Sequence, residues 1–403
     1  MNMSARHILF VETEGDSLQT LMRGLAGSHD DWHIVRITEQ DAALEMLSQR
    51  VFCVVIASFG EGYADCEHFL QEVQSRAPAV IRFALLPDAA EADGFTGLES
   101  AFQCFPAHCP STEMAVAISR GIDVWLQCRE NARLTNLLSN LRNIPTPPRL
   151  YFEIREELNS PNGDARSVAA IISRDPSVSA KILKVANSGF YAVPRSVTDI
   201  RDAITFLGTS TVLTLVLASH VFTRLPVPGV NLDALWKHSL TVSAMAQQIA
   251  AQEGGDRLTV NTAGVAGLLH DIGELILLTN VPDIYYPLIR RFAGEESALL
   301  ATELEYFGVT HAQLGSYVLS LWSLPDAVVE AVALHHDCSR HAGGTASLTN
   351  KAVFAAERFL QEESSCDNET GSPDKELECC LGSTHEKIQH WREACVQLLA
   401  KSI

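Results

Sequence analysis

Residues 51–59 read VFCVVIASF, a near-continuous run of apolar and β-branched side chains. A strand covered on both faces has this character, whereas a half-exposed strand alternates. Similar runs lie on either side: HILFVE at 7–12 and WHIVRI at 32–37 before it, VIRFALLP at 80–87 and AFQCFP at 101–106 after it. Between them LQTLMRGLAG at 18–27 and DAALEMLSQR at 41–50 carry helical spacing, the first ending on a glycine stop. Strands alternating with helices predict a small doubly wound α/β domain over residues 1–122.

Beyond Gly121 the texture changes. Residues 123–142 predict a linker helix, IPTPP follows at 144–148, and helical segments then run to the C-terminus. Asp175 stands before Pro176, and Thr198 and Thr209 precede apolar-periodic runs, as helix N-caps do. No strand alternation is sustained, so a second, all-α unit is expected at 143–345, with a helical extension at 346–403. Within that extension EESSCDNETGSPDKELECCLG, residues 363–383, is polar and turn-rich and predicts a mobile loop.

A chain of 403 residues favours two or three domains, and 47% apolar residues exclude wholesale disorder. No uninterrupted apolar run reaches the roughly 18 residues of a membrane span, and the opening residues carry no signal-peptide pattern. The net charge of −19 and pI near 5.1 repel a phosphate backbone, which argues against nucleic acid as a partner. Ten cysteines are scattered without a CxxC pair, so reduced thiols and a cytoplasmic location are expected.

The order and spacing of the strands in 1–122 resemble the receiver domain of bacterial response regulators. That resemblance implies acids after strand one to hold Mg²⁺, an Asp phosphoacceptor ending strand three, a hydroxyl ending strand four and a Lys ending strand five. Here Glu12 and Glu14 stand at the acidic positions, Ser58 at the acceptor, Leu86 at the hydroxyl, and Ala107 or His108 at the lysine. A carboxylate attacks phosphorus as an anion, a hydroxyl needs a base, and the Lys neutralises developing charge. With all three changed, the expectation is a degenerate, phosphorylation-independent receiver that serves docking or dimerisation.

The block IISRDPSVSAKILKVANSGFYAVPRSVTDIRDAITFLGTSTVLTLVLA at 171–218 resembles the HDOD domain, a relative of the HD phosphohydrolases. LWKHSL at 235–240, AGLLHDIGELIL at 266–277 and WSLPDAVVEAVALHH at 322–336 continue the resemblance in order. Asn187 and Ser188 can end a helix by bonding backbone groups. With Phe190 and Tyr191 they form either an architectural plug or a partner-binding loop.

HD phosphohydrolases hold a divalent metal with a His, a later His-Asp doublet and a distant Asp. The resemblance assigns these roles to His238, to His270 and Asp271, and to Glu357, the nearest acid where the distant Asp would stand. His311, His335 and His336 fall where the cyclic-dinucleotide phosphodiesterases of the HD-GYP group carry further histidines, and Asp337 offers another acid. The GYP extension is absent. Imidazoles and carboxylates suit Fe, Mn, Zn or Mg, and a bound ion can activate water on a phosphoester. Two readings stand open. The expected one is a non-catalytic signal-transduction protein that requires no cofactor and acts through signalling partners or self-association, not at a membrane. The alternative is a metal-dependent phosphohydrolase or phosphodiesterase acting on a nucleotide signal.

Overall fold

The computed structural model describes residues 6–12, 17–25, 31–59, 63–86, 98, 100–141, 147–160, 163–188, 197–224, 231–337, 346–364, 377–378 and 383–402. The chain divides into a unit of 1–147, 300–310 and 317–324, and a unit of 148–299, 311–316 and 325–403.

In the first unit, β1 (Arg6–Glu12), β2 (Trp32–Ile37), β3 (Val54–Ser58), β4 (Ile81–Leu86) and β5 (Gln103–Pro106) make one parallel sheet in the order β2-β1-β3-β4-β5. Helices α1 (Ser17–Leu25), α2 (Gln40–Gln49), α3 (Tyr63–Arg76) and α4 (Ser111–Glu130) connect or follow the strands. This is the flavodoxin-like order of a doubly wound receiver-like fold. The apolar run that opened the sequence is the central strand β3, where Val54, Val55, Ile56 and Ala57 are all fully buried. One face of the sheet packs Leu9, Val11, Val55 and Ala84 against Leu44, Phe69 and Leu70.

Parallel register gathers the receiver-position residues at the carboxyl edge of the sheet. Glu12 lies opposite Ser58, and the Ala107 N–H donates to the Leu86 carbonyl at 2.8 Å. His108 is exposed, and Glu14 lies outside the described residues. Glu12 is buried, with Arg36 Nη2 of β2 at 2.9 Å from its Oε2. A buried carboxylate is costly without such a partner. The sequence did not reveal the pair, because the two residues lie on separate strands.

The stretch expected as one helix over 123–142 is broken. Helix α4 starts earlier, at Ser111, and stops at Asn131, whose side chain accepts the Arg133 and Leu134 N–H groups and caps α5 (Ala132–Asn140). Asn131 satisfies two orphan donors at the new helix start, and that is the physical reason for the break.

From residue 148 onward every described regular element is a helix: α6 (Arg149–Asn159), α7 (Ala165–Ile172), α8 (Pro176–Ala186), α9 (Ile200–Leu207), α10 (Thr209–Arg224), α11 (Leu232–Gln252), α12 (Arg257–Leu269), α13 (Ile272–Asn280), α14 (Pro282–Arg291), α15 (Glu296–Phe307), α16 (His311–Leu321), α17 (Asp326–Leu334), α18 (Leu348–Ser364) and α19 (His385–Ser402). Asp175 caps α8 as expected, accepting the Ser177 and Val178 N–H groups. Helix α9 is capped by Asp199, one residue beyond the expected Thr198. Of the 363–383 stretch only 363, 364, 377, 378 and 383 are described, so the expected loop lies almost wholly outside the described residues. Among the described residues one stretch, 257–280, is long and apolar enough to cross a membrane, and 78% of its apolar window is buried inside the protein. Six cysteines, Cys53, Cys66, Cys104, Cys109, Cys128 and Cys395, are free and buried.

Candidate metal centre

Close helix crossings bring the histidines of the helical unit together. Helices α11 and α12 approach at Gly267, where a Cβ would meet the Ser243 Cα at 2.9 Å, and Ser243 Oγ donates to the Gly264 carbonyl at 2.7 Å. Small residues are what permit backbones to come so near. His238 on α11 and His270 at the end of α12 thereby place their Nε2 atoms 3.2 Å apart. Asp271 follows as the N-cap residue of α13, yet its carboxylate makes no capping bond. It turns toward the histidines instead.

The distances define two groups that share Asp271. Asp271 Oδ2 lies 3.0 Å from His270 Nε2 and 3.5 Å from His238 Nε2. Asp271 Oδ1 lies 3.4 Å from His335 Nε2 and 3.6 Å from His311 Nε2. Glu357 Oε2 joins the first side at 3.1 Å from His238 and 3.2 Å from His270. On the second side His311 Nε2 is 3.0 Å from His336 Nε2. Within each of two sets, His238 with His270 and Glu357, and Asp271 with His311, His335 and His336, the ligand atoms all fall within 4.8 Å of one another.

Two ring orientations are set by backbone. His270 Nδ1 bonds the Gly267 carbonyl at 2.8 Å and His335 Nδ1 the Val332 carbonyl at 2.7 Å. A carbonyl only accepts, so Nδ1 carries the proton in both rings and Nε2 is turned inward as a ligand atom.

Burial opposes charge throughout the cluster, but local partners decide the outcome. For His238, hydrogen bonds to Asp271 and Glu357 outweigh burial and push the imidazole up to about 10. His270 also rises well above its usual value, against burial, through the charge of Asp271 and its bonds to Asp271 and Glu357. Both carboxylates are held well below the usual range despite burial, by His270 and His238 beside them. His336 goes the other way, to about 4, because burial prevails. Two carboxylates thus lie among five buried or partly buried imidazoles.

The donor set fits divalent ions. Glu357 Oε2 and His335 Nε2 are buried and face other ligand atoms of the cluster, the first at 3.1–3.2 Å from His238 and His270 and the second at 3.4 Å from Asp271 Oδ1. All seven expected ligand residues are brought into the two sets. Asp337 falls outside them. Of these residues His238 is the most exposed, its side chain at 31% against 15% for Asp271 and none for His270. This convergence of His, Asp and Glu ligand atoms into two compact sets overturns the expectation of a non-catalytic protein.

The other expected site residues have different duties. Asn187 Nδ2 donates to the Leu183 and Val197 carbonyls and its Oδ1 accepts from the Val197 N–H, while Ser188 Oγ donates to the Val185 carbonyl. Phe190 and Tyr191 lie outside the described residues. The sequence reading missed Glu296, which pairs with His336 Nδ1. No local signal could have found it, since it opens a helix in an ordinary polar stretch, GEES, 40 positions away.

Residues 144–338 match the family model of the HDOD domain, so this chain carries an HDOD domain behind its receiver-like fold. An HDOD domain protein from Geobacter sulfurreducens is 23% identical, with a TM-score of 0.53 over 67% of this chain and 95% of that one. A Shewanella amazonensis protein with a provisional phosphohydrolase assignment is 23% identical, with a TM-score of 0.51 over 68% and 99% of the two chains. At these identities the likeness speaks for the fold. An uncharacterized protein of Treponema pallidum (strain Nichols) is 22% identical over 250 residues, 62% of this chain. The present chain spans about half of that relative, 48% of its length.

Proposed function

We propose that this protein is a metal-dependent phosphohydrolase or phosphodiesterase acting on a nucleotide signal. The observation that carries this reading is Asp271, whose two carboxylate oxygens face separate histidine sets at 3.0–3.6 Å. His238, His270, Glu357 and Asp271 would hold one ion; Asp271, His311, His335 and His336 would hold the other. Such ions supply Lewis acidity toward a phosphoryl oxygen and acidify water, with Fe, Mn and Zn better suited than Mg to so many imidazoles. The Gly267 and Val332 carbonyls keep two rings in the ligating tautomer. The buried walls exclude bulk water, and the half-exposed His238 edge admits substrate. In a chain of net charge −19, two divalent ions would provide the positive focus that a phosphate ester needs.

Within this reading residues 1–122 form the receiver-like input and 143–345 the catalytic HDOD domain. The input region would bring the activity to a signalling partner or to a second copy in the cytoplasm. The Shewanella protein's assignment lies in the same reaction class.

The test is metal analysis of full-length, untagged protein from metal-supplemented cells, followed by assays on linear and cyclic nucleotides. The expected result is about two equivalents of Fe, Mn or Zn and a phosphoester-cleaving activity at least ~10²-fold lower in His270→Ala/Asp271→Ala. Folded protein holding less than about a tenth of an equivalent would overturn the reading.

A further inference from the structure

We propose that Glu296 is a positioning residue that orients His336 for the second ion and ties that ion's binding to the first set of ligands. This rests on the two-ion reading of the site.

The histidines differ in what holds their outward nitrogen. His270 and His335 each bond a carbonyl of the preceding turn, but His336 lies beyond the last residue of α17 and its Nδ1 pairs with Glu296 Oε1 instead. Its Nε2 meanwhile sits 3.0 Å from that of His311, within the second set. A carboxylate behind a ligating imidazole fixes the tautomer and ring plane and raises the basicity of the other nitrogen. Glu296 is the first residue of α15, where the helix dipole favours a negative charge, and its side chain is 21% exposed.

Glu296 is itself linked to the other set. Its Oε2 faces Arg358 Nη1 at 3.9 Å, and Arg358 Nη1 donates to Gln361 Oε1 at 3.3 Å. Gln361 Nε2 in turn donates to Glu357 Oε1 at 3.1 Å, the oxygen turned away from His238 and His270. Polar side chains therefore run from His336 through Glu296, Arg358 and Gln361 to Glu357, joined by hydrogen bonds at the Glu357 end and by the longer ion contact between Arg358 and Glu296. An adjustment of Glu357 around the first ion is felt at His336.

The experiment is Mn²⁺ titration of chelator-stripped, full-length protein, followed by electron paramagnetic resonance. Wild type should take two equivalents and show the spectrum of an exchange-coupled pair. Glu296→Gln should take the first equivalent with unchanged affinity and an isolated-ion spectrum, and bind the second about 10–100-fold more weakly. Arg358→Gln should weaken the second equivalent in the same direction, by less. A simple packing role would lower the melting temperature while leaving the ratio of the two affinities unchanged. Wild type binding fewer than two equivalents would sink the two-ion reading along with this one. Two wild-type affinities in Glu296→Gln would remove the role of Glu296 alone. If Glu296→Gln does not fold, unchanged second-site affinity in Arg358→Gln overturns the proposal.

Discussion

Gly273 lies so close to His311 that a Cβ added to it would stand 1.9 Å from the His311 carbonyl oxygen. The next residue of that contact, Gly315, approaches the Gly273 amide in the same way, so α13 and α16 touch backbone to backbone. This contact sets the separation between Asp271, at the start of α13, and His311, at the start of α16. Gly273→Ala should therefore cost about 1–3 kcal/mol, measured by urea denaturation, and should lower occupancy by the second Mn²⁺ equivalent. Gly315→Ala should cost less, since its nearest obstacle is the Ile272 Cγ2 at 3.0 Å, the end of a side chain that can rotate. Equal metal content in Gly273→Ala and wild type would separate this contact from the site.

Asp271 faces both sets, whereas His238 lies in one. Asp271→Asn should reduce bound metal from about two equivalents toward none, and His238→Ala from about two to about one. Elemental analysis of the purified variants, with circular dichroism to establish folding, reads the difference directly. Loss of a single equivalent from Asp271→Asn would mean that its two oxygens do not serve two ions.

The seven clustered residues could be picked out because six are His or Asp in stretches of fixed order, and Glu357 is the nearest acid where the seventh would stand. Whether these residues meet in space was not legible. It depends on whether α11, α12, α13, α16, α17 and α18 converge, and that is set by glycine crossings such as Gly267 on Ser243. The central strand at 51–59 was legible for a different reason: burial on two faces removes the polar alternation. Asn131 went unread because a single Asn within a polar-apolar run reads as ordinary helix surface until its two N–H partners are seen. Glu12 was readable as an acid near the end of β1. Its Arg36 partner was not, since strand pairing aligns residues 24 positions apart.

That pair yields a stability prediction for the receiver-like fold. Arg36→Met removes the guanidinium from a buried carboxylate, so Glu12 must bury its charge without this partner. The cost should be about 1–3 kcal/mol, moderated because Arg36 is 29% exposed. Adding Glu12→Gln to Arg36→Met should recover part of it, because a neutral amide is cheaper to bury than a carboxylate that has lost its guanidinium. Urea midpoints of the single and double variants form the test, and a double variant less stable than Arg36→Met would contradict it.

The helix caps predict one component of acid sensitivity. Asp164 is held below the usual carboxylate range chiefly by the Ser167 N–H, with further bonds from the Arg166 N–H and the Ser167 hydroxyl. Asp256 is held low by the Thr259 hydroxyl and N–H. A carboxyl whose folded value lies below its unfolded value, near ~3.9, contributes stability that is fully present above that unfolded value. The contribution fades as pH falls through the lower folded value, because protonation costs the folded state more. Asn accepts the same N–H bonds without titrating and is about as good an N-cap. Asp164→Asn/Asp256→Asn should therefore match wild type closely near pH 7 and lose less stability between about pH 5 and pH 2, read as urea midpoints across that range. Asp271 and Glu357 are depressed as well and remain in both proteins, so the variant's acid limb should be shallower and not flat. Identical limbs would mean that the two caps stay formed when protonated.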